Sequence, residues 1–108
     1  MIDIETQIVA AFAGYLPIAA GVYHGDEVTY LVYNYTEIPA DYGDDDAGVV
    51  RYLIQIHLYA PVSDDTYNMR REIKSRINSA GFTRPTVTPA SDAEKQHYVF
   101  ECETAEGV

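Results

Sequence analysis

Lysine and arginine are missing from the first fifty residues of this 108-residue chain, tryptophan is missing throughout, and cysteine occurs once. A single thiol, Cys102, excludes an intrachain disulfide, and nothing in the cysteine usage points to an oxidising compartment. With 17 acidic against 7 basic residues the formal charge is −10. That balance argues against broad affinity for nucleic acid or an anionic membrane surface, since both depend on Lys and Arg neutralising phosphates. Charge is also absent from Thr6 to Gly25, a stretch of membrane-spanning length. Gly14, Pro17 and Gly21 interrupt it, and Ile4, Ile8, Phe12 and Tyr15 recur at the spacing of one helical face only. Asp3 and Glu5 stand where a signal peptide needs positive charge. Asn34-Tyr35-Thr36 matches the glycosylation sequon but carries no weight without a secretory signal. The expectation is a soluble protein of intracellular origin.

What is present describes one ordinary globular domain over residues 1–108: 47% hydrophobic and 22% charged residues support a buried core without metals or disulfides. The charge is unevenly placed. Residues 1–50 hold nine acids and no bases, whereas residues 51–108 hold eight acids and all seven bases. Four of those bases, Arg70, Arg71, Lys74 and Arg76, lie within seven residues of one another.

Asp3 reads as the N-cap of a first helix reaching about Tyr15, where Pro17 ends it, with Ile4, Ile8, Ala11, Phe12 and Tyr15 as its apolar stripe. A short strand is predicted over Ala20 to His24, a turn at Gly25-Asp26, and a Tyr-rich strand from Val28 to about Ile38. Residues 39–48 then read as an exposed acidic loop. From Val49 to Ala60, Val50, Tyr52, Ile54, Ile56, Leu58 and Ala60 alternate with Arg51, Gln55 and His57, the pattern of a sheet covered on one side. Ser63 is expected to start a second helix, with Asp64 and Asp65 at the positive end of its dipole and Val62 stapled to Tyr67. Met69, Ile73, Arg76, Ile77 and Ala80 form its inner side, and Gly81 is placed to fold Phe82 back onto Ile77. A short strand at Thr86 to Thr88, a polar turn at Ser91 to Gln96 and a strand from His97 to Thr104 complete the chain, with Ala105 to Val108 frayed. The order α-β-β-β-α-β-β implies an α+β fold, two helices packed on one face of a mainly antiparallel four- to five-stranded sheet.

Reactive constellations are not found. Counted from Asp44, a calcium loop would need glycine sixth and glutamate twelfth, but Val49 and Gln55 stand there, so residues 41–48 read as a solvated loop. His24, His57 and His97 show no ligand spacing, no serine sits in a nucleophile elbow, and Gly21 and Gly25 do not form a phosphate loop. Cys102, between Phe100 and Thr104 at period two, reads as a buried inert thiol. The prediction is a protein that is not an enzyme and uses no cofactor or metal. Interface candidates remain. Tyr30 lies on one face of its strand and Tyr33 and Tyr35 on the other, so one tyrosine-bearing face lacks cover from two helices; tyrosine suits a surface buried by a partner, and equally a wet sheet. Asp41, Asp44, Asp45 and Asp46 complement Arg70, Arg71 and Lys74, and separated patches of opposite sign permit head-to-tail association closing into a ring. The alternative is a solvated helix face aided by the Glu72 and Arg76 spacing.

Taken in order, the leading amphipathic helix, the Tyr-rich strand, the run Arg51-Tyr52-Leu53-Ile54-Gln55-Ile56-His57-Leu58-Tyr59, the segment Arg70 to Ile77 leading to Gly81-Phe82, and the closing Tyr98-Val99-Phe100-Glu101 resemble the tail-terminator (tail-completion, head-tail joining) proteins of long-tailed bacteriophages. The resemblance spans nearly the whole chain and rests on element order and residue character. It implies a small α+β protomer, made in the host cytoplasm and assembled in the virion as a homo-oligomeric ring, generally a hexamer, at the head-proximal end of the tail. Its implied partners are the tail-tube protein and the head-connector protein, and DNA passes through without specific binding. An acidic lumen fits that passage, because it repels a polyanion. The rival expectations are another neck or tail component of similar fold, a host protein binding a basic partner, or a small ligand-binding module or enzyme using Tyr33, Tyr35 and His57 on the open sheet face.

Overall fold

A computed structural model describes residues 3–39 and 49–107. The elements are α1 (Ile4–Ala11), β1 (Ile18–Ala20), β2 (Tyr30–Pro39), β3 (Val49–Pro61), α2 (Tyr67–Ser79), β4 (Thr86–Pro89) and β5 (Lys95–Gly107). They form an α+β fold with a five-stranded sheet ordered β1-β2-β3-β5-β4. The sheet is mixed: β1 runs parallel to β2, and the other three pairings are antiparallel.

Both helices differ in extent from their sequence patterns, and a tertiary contact accounts for each difference. Asp3 caps α1 as expected, its Oδ1 accepting the Thr6 N–H at 2.8 Å, and the same bond holds its carboxyl below the ordinary aspartate range. The helix nevertheless stops at Ala11 and not at Tyr15. Arg76 of α2 donates through Nη1 to the carbonyls of Ala11 and Ala13, so a cation closes the negative end of α1 while the chain turns. α2 begins at Tyr67 and not at Ser63, with Thr66 as N-cap and Asp65 Oδ1 accepting the Tyr67 N–H at 3.0 Å. Val62 and Tyr67 are 52% and 56% exposed, so the expected staple is absent. The cause lies far downstream, where Gln96 Nε2 donates to the carbonyls of Pro61 (2.8 Å) and Asp64 (2.6 Å), more weakly to Val62, and holds that segment as a turn. At the other end the expected cap forms: Phe82 N–H bonds Ile77 O and Gly81 N–H bonds Asn78 O, with Gly81 at φ +88°. Phe82 is thereby turned into the core.

β1 starts two residues earlier than its pattern and is shorter. Leu31 N–H bonds Pro17 O, Gly21 N–H bonds Tyr33 O, and Gly21 at φ +71° turns the chain away, leaving Val22 outside the sheet and 60% exposed. β5 begins at Lys95 and extends to Gly107, where fraying was expected, because β3 pairs with it from Pro61↔Lys95 to Val49↔Gly107. The core lies on one side of the sheet. Ile4 and Ile8 of α1, Phe12 at its C-cap, and Ile73 and Ile77 of α2 pack with Phe82 on Leu31, Tyr33, Ile54, Ile56, Leu58, Phe100 and Cys102. The alternation on β3 is realised, with Ile54, Ile56, Leu58 and Ala60 all buried.

The helices cover only part of this sheet. From the row Thr36–Leu53–Glu103 outward, no described residue of β2, β3 or β5 is buried. Those rows form a three-stranded arm projecting beyond the helix layer. The radius of gyration is accordingly 15.1 Å and the principal extents are 53 × 24 × 24 Å, whereas a compact domain of this size has a radius near about 13 Å.

Candidate functional site

Residues alternating with the core line the opposite, helix-free face, and register places them in rows. Tyr30, Tyr59 and His97 make one row; Val32, His57 and Val99 the next; then Asn34, Gln55 and Glu101; then Thr36, Leu53 and Glu103. The first row is aromatic and continuous. Ring centroids step from Tyr23 to Tyr30 (4.3 Å), Tyr59 (5.2 Å), His97 (4.3 Å) and His57 (5.1 Å). Along the three tyrosines and His97 the rings are near-parallel, with interplanar angles of 18°, 24° and 19°. Their faces are therefore used on one another, and the strip offers ring edges and hydroxyls to a partner, not stacking surfaces for a base or sugar. Lys95 lies against it, Nζ donating to Tyr30 Oη at 3.1 Å and standing 5.5 and 5.7 Å from the Tyr30 and Tyr59 centroids. That hydrogen bond raises the affinity of Lys95 for its proton.

His57 Nδ1 and His97 Nε2 are 2.8 Å apart, so one of them is an N–H and the other a lone pair. Burial lowers the pKa of both, and at His57 the neighbouring His97 lowers it further while Glu101 opposes. On the far side His57 Nε2 lies 3.3 Å from both Gln55 Oε1 and Asn34 Nδ2, one an acceptor and the other a donor. A neutral ring satisfies only one of these, so the tautomer is coupled to the direction of the His57–His97 bond. Beyond it, Gln55 Nε2 donates to Glu101 Oε2 at 3.4 Å, and Arg51 pairs with Glu103 at 2.8 Å. A concavity of about 550 Å³ opens here, lined by Asn34, Thr36, Leu53, Gln55, Arg84 and Glu101 among others.

Cys102 points to the helix side and is buried, which pushes its thiol pKa up to about 12. Among the described residues no three His, Cys, Asp or Glu side chains gather at metal-binding distances. Among the described residues no helix is long and apolar enough to cross a membrane.

Asp41, Asp44, Asp45 and Asp46 lie outside the described residues. Tyr33 and Tyr35 lie on the helix-covered face and not beside His57 on the open one. Tyr33 is 6% exposed and donates to Glu5 Oε1 at 3.0 Å, while Tyr35 reaches Glu5 Oε2 at 3.5 Å. Burial first, and then the Glu5 hydrogen bond, raises the Tyr33 pKa. Sequence parity already separated these two from Tyr30, but did not reveal which side the helices take. The basic cluster is divided. Arg70 is half-buried, 4.5 Å over the Tyr98 ring, with Nε donating to Thr66 Oγ1. Arg76 lies 4.6 Å over Tyr15 and bonds Glu72 at 2.7 Å, the expected four-residue pair. Arg71 and Lys74 project outward as expected of an exposed face. The contact missed in the sequence is His57–His97, which joins adjacent strands diagonally; only the β3–β5 register reveals it.

No family model matches the chain, and no curated protein matches it. Among solved structures the chain is similar to one whose name states no activity, with a TM-score of 0.61 and 13% identity, over 96% of this chain and 95% of that one. At that identity the likeness shows a shared fold and nothing of function.

Proposed function

We propose that this protein is a structural component of a virion, a ring-forming tail terminator that caps the tail tube, ends its polymerisation and presents the joint to the head. It acts by protein association, without a catalytic step or cofactor. The observation that carries this reading is the uncovered arm. A sheet whose outer rows hold no fully buried described residue within the protomer is suited to be covered by neighbours, and both its elongation and its polar open face suit repeated packing around an axis. The formal charge of −10 supports the passage of DNA without retention. Element order and residue character along the whole chain supply the link to tail terminators in particular.

The test is the mass of the purified protein in solution, with electron microscopy of the protein alone and mixed with tail tubes. Rings seated at one end of each tube are the expected result. Protein that stays monomeric and never decorates tube ends overturns the proposal. A second reading, a ligand-binding module, draws on the polar concavity beside Gln55 and Glu101, whose volume is in the range of small-molecule sites. It predicts saturable thermal stabilisation by a polar small molecule, lost in Gln55→Ala.

A further inference from the structure

The arm carries a second property, separate from its exposed faces: among the described residues both of its edges are open at the same height. β2 is ten residues long, but β1 pairs only with Leu31, Val32 and Tyr33. β5 is thirteen residues long, but β4 pairs only with Tyr98 to Glu101. Backbone direction alternates along a strand, and the hydrogen bonds identify which residues face outward. On β2, Leu31 N–H bonds Pro17 O and Tyr33 O accepts from Gly21, so Tyr35 and Glu37 also turn their N–H and C=O away from β3. On β5, Thr83 occupies Glu103, bonding its carbonyl through N–H and its N–H through Oγ1, both at 2.8 Å. Ala105 is the next outward residue. Among the described residues nothing pairs with the outward groups of Tyr35, Glu37 or Ala105. Register sets these edges level, through the rows Glu37–Tyr52–Thr104 and Ile38–Arg51–Ala105.

Unpaired edges of this kind are templates for another strand, and soluble proteins usually protect them. We infer that copies of this chain join edge to edge, the outer half of β2 in one copy pairing with the outer half of β5 in the next. This deepens the ring reading and rests on it. The occupant is a second copy because one contact then satisfies both edges of every protomer, whereas a foreign strand on β2 leaves β5 bare. The join is head-to-tail for two reasons. β2 and β5 are both antiparallel to β3, and so run the same way; rotation about a ring axis thus brings them together as a parallel pair that repeats and closes. A two-fold join of β5 to β5, or of β2 to β2, instead leaves the other edge of every protomer bare. Pro39, without an N–H, ends the pairing on β2.

Cysteine cross-linking tests this directly, with the wild type, which holds only the buried Cys102, as control. Adjacent strands hold Cα atoms within disulfide range. Thr36, Ile38 and Ala105 share the open face, so Ile38→Cys or Thr36→Cys combined with Ala105→Cys is expected to give a ladder of covalent species beyond the dimer on oxidation, while each single substitution gives none. Covalent dimers from the single variants alone establish a two-fold join and overturn the proposal. Independently, Glu37→Pro removes one outward N–H and leaves the β3 pairing intact, so assembly is expected to weaken at least tenfold by concentration-dependent mass measurement, with Glu37→Ala unchanged. A ring of wild-type mass in Glu37→Pro, with no cross-link in either double variant, overturns the edge join while leaving the ring reading in place. A wild type that is monomeric at every concentration overturns both.

Discussion

Gln96 is the side chain on which the connection from sheet to second helix depends, and replacing it by glutamate isolates one feature, the hydrogens on Nε2. Those hydrogens serve the carbonyls of Asp64 at 2.6 Å and Pro61 at 2.8 Å, while Oε1 accepts from the hydroxyl of Thr66, a residue 2% exposed. In Gln96→Glu the shape and the Thr66 bond are retained, but two donors become lone pairs facing carbonyl oxygens. Two lost hydrogen bonds at about 1 kcal/mol each, with the added repulsion, put the cost at about 2–4 kcal/mol at neutral pH. That is a large part of a typical stability of about 5–15 kcal/mol. The new carboxyl is held above the usual glutamate range by the carbonyls it faces. It takes up a proton in the folded state before the unfolded one, so the deficit relative to wild type shrinks as pH falls toward about 4. Gln96→Ala loses the same donors and also leaves the buried Thr66 hydroxyl hydrogen without its acceptor, with only the Arg70 bond to its oxygen retained, at about 1–2 kcal/mol more. Urea unfolding followed by circular dichroism, at one fixed protein concentration and at neutral and acid pH, reads both quantities. Should Gln96→Glu lie within about 0.5 kcal/mol of wild type at neutral pH, with no change on acidification, the clamp does not hold the turn and the account of where α2 begins is wrong.

Three further outcomes follow from the same geometry. His57 and His97 both have lowered pKa values in the folded state, so unfolding takes up protons below the ordinary histidine value of 6.5; stability should be constant above that value and fall as pH drops below it, and the double variant His57→Gln, His97→Gln should flatten this limb of the urea midpoint against pH. With its thiol near pKa 12, Cys102 has a thiolate fraction on the order of 10⁻⁴ at pH 8, so disulfide reagents should label it only after denaturation, and rapid labelling of native protein would contradict the burial. Gly81→Ala meets no atom within 4 Å, so its cost is the left-handed backbone alone, roughly 1–2 kcal/mol by urea unfolding, and a neutral result would show that the cap relaxes.

The parts of this protein decided by neighbours a few residues apart are legible in its amino-acid order. Asp3 and Thr6, Gly81 and Phe82, and the alternation from Ile54 to Ala60 specify a cap, a helix end and a buried strand face, because each depends on contacts within a turn or on parity along one strand. Such signals yield the α+β class and the element order. Where two distant segments compete for the same backbone groups, local preference yields. Ser63 is a good cap candidate, but Gln96 takes the carbonyls around it; the stripe to Tyr15 is helical, but Arg76 closes α1 at Ala11. The parallel placement of β1, the meeting of His57 with His97 across 40 residues and the withdrawal of Tyr33 beneath the helices all require the register of long-range pairs. The same holds for the arm. Strand patterns mark its residues as extended, yet that its edges stay unpaired among the described residues follows only from how short β1 and β4 are beside the strands they join, a property of the assembled sheet that no single segment encodes.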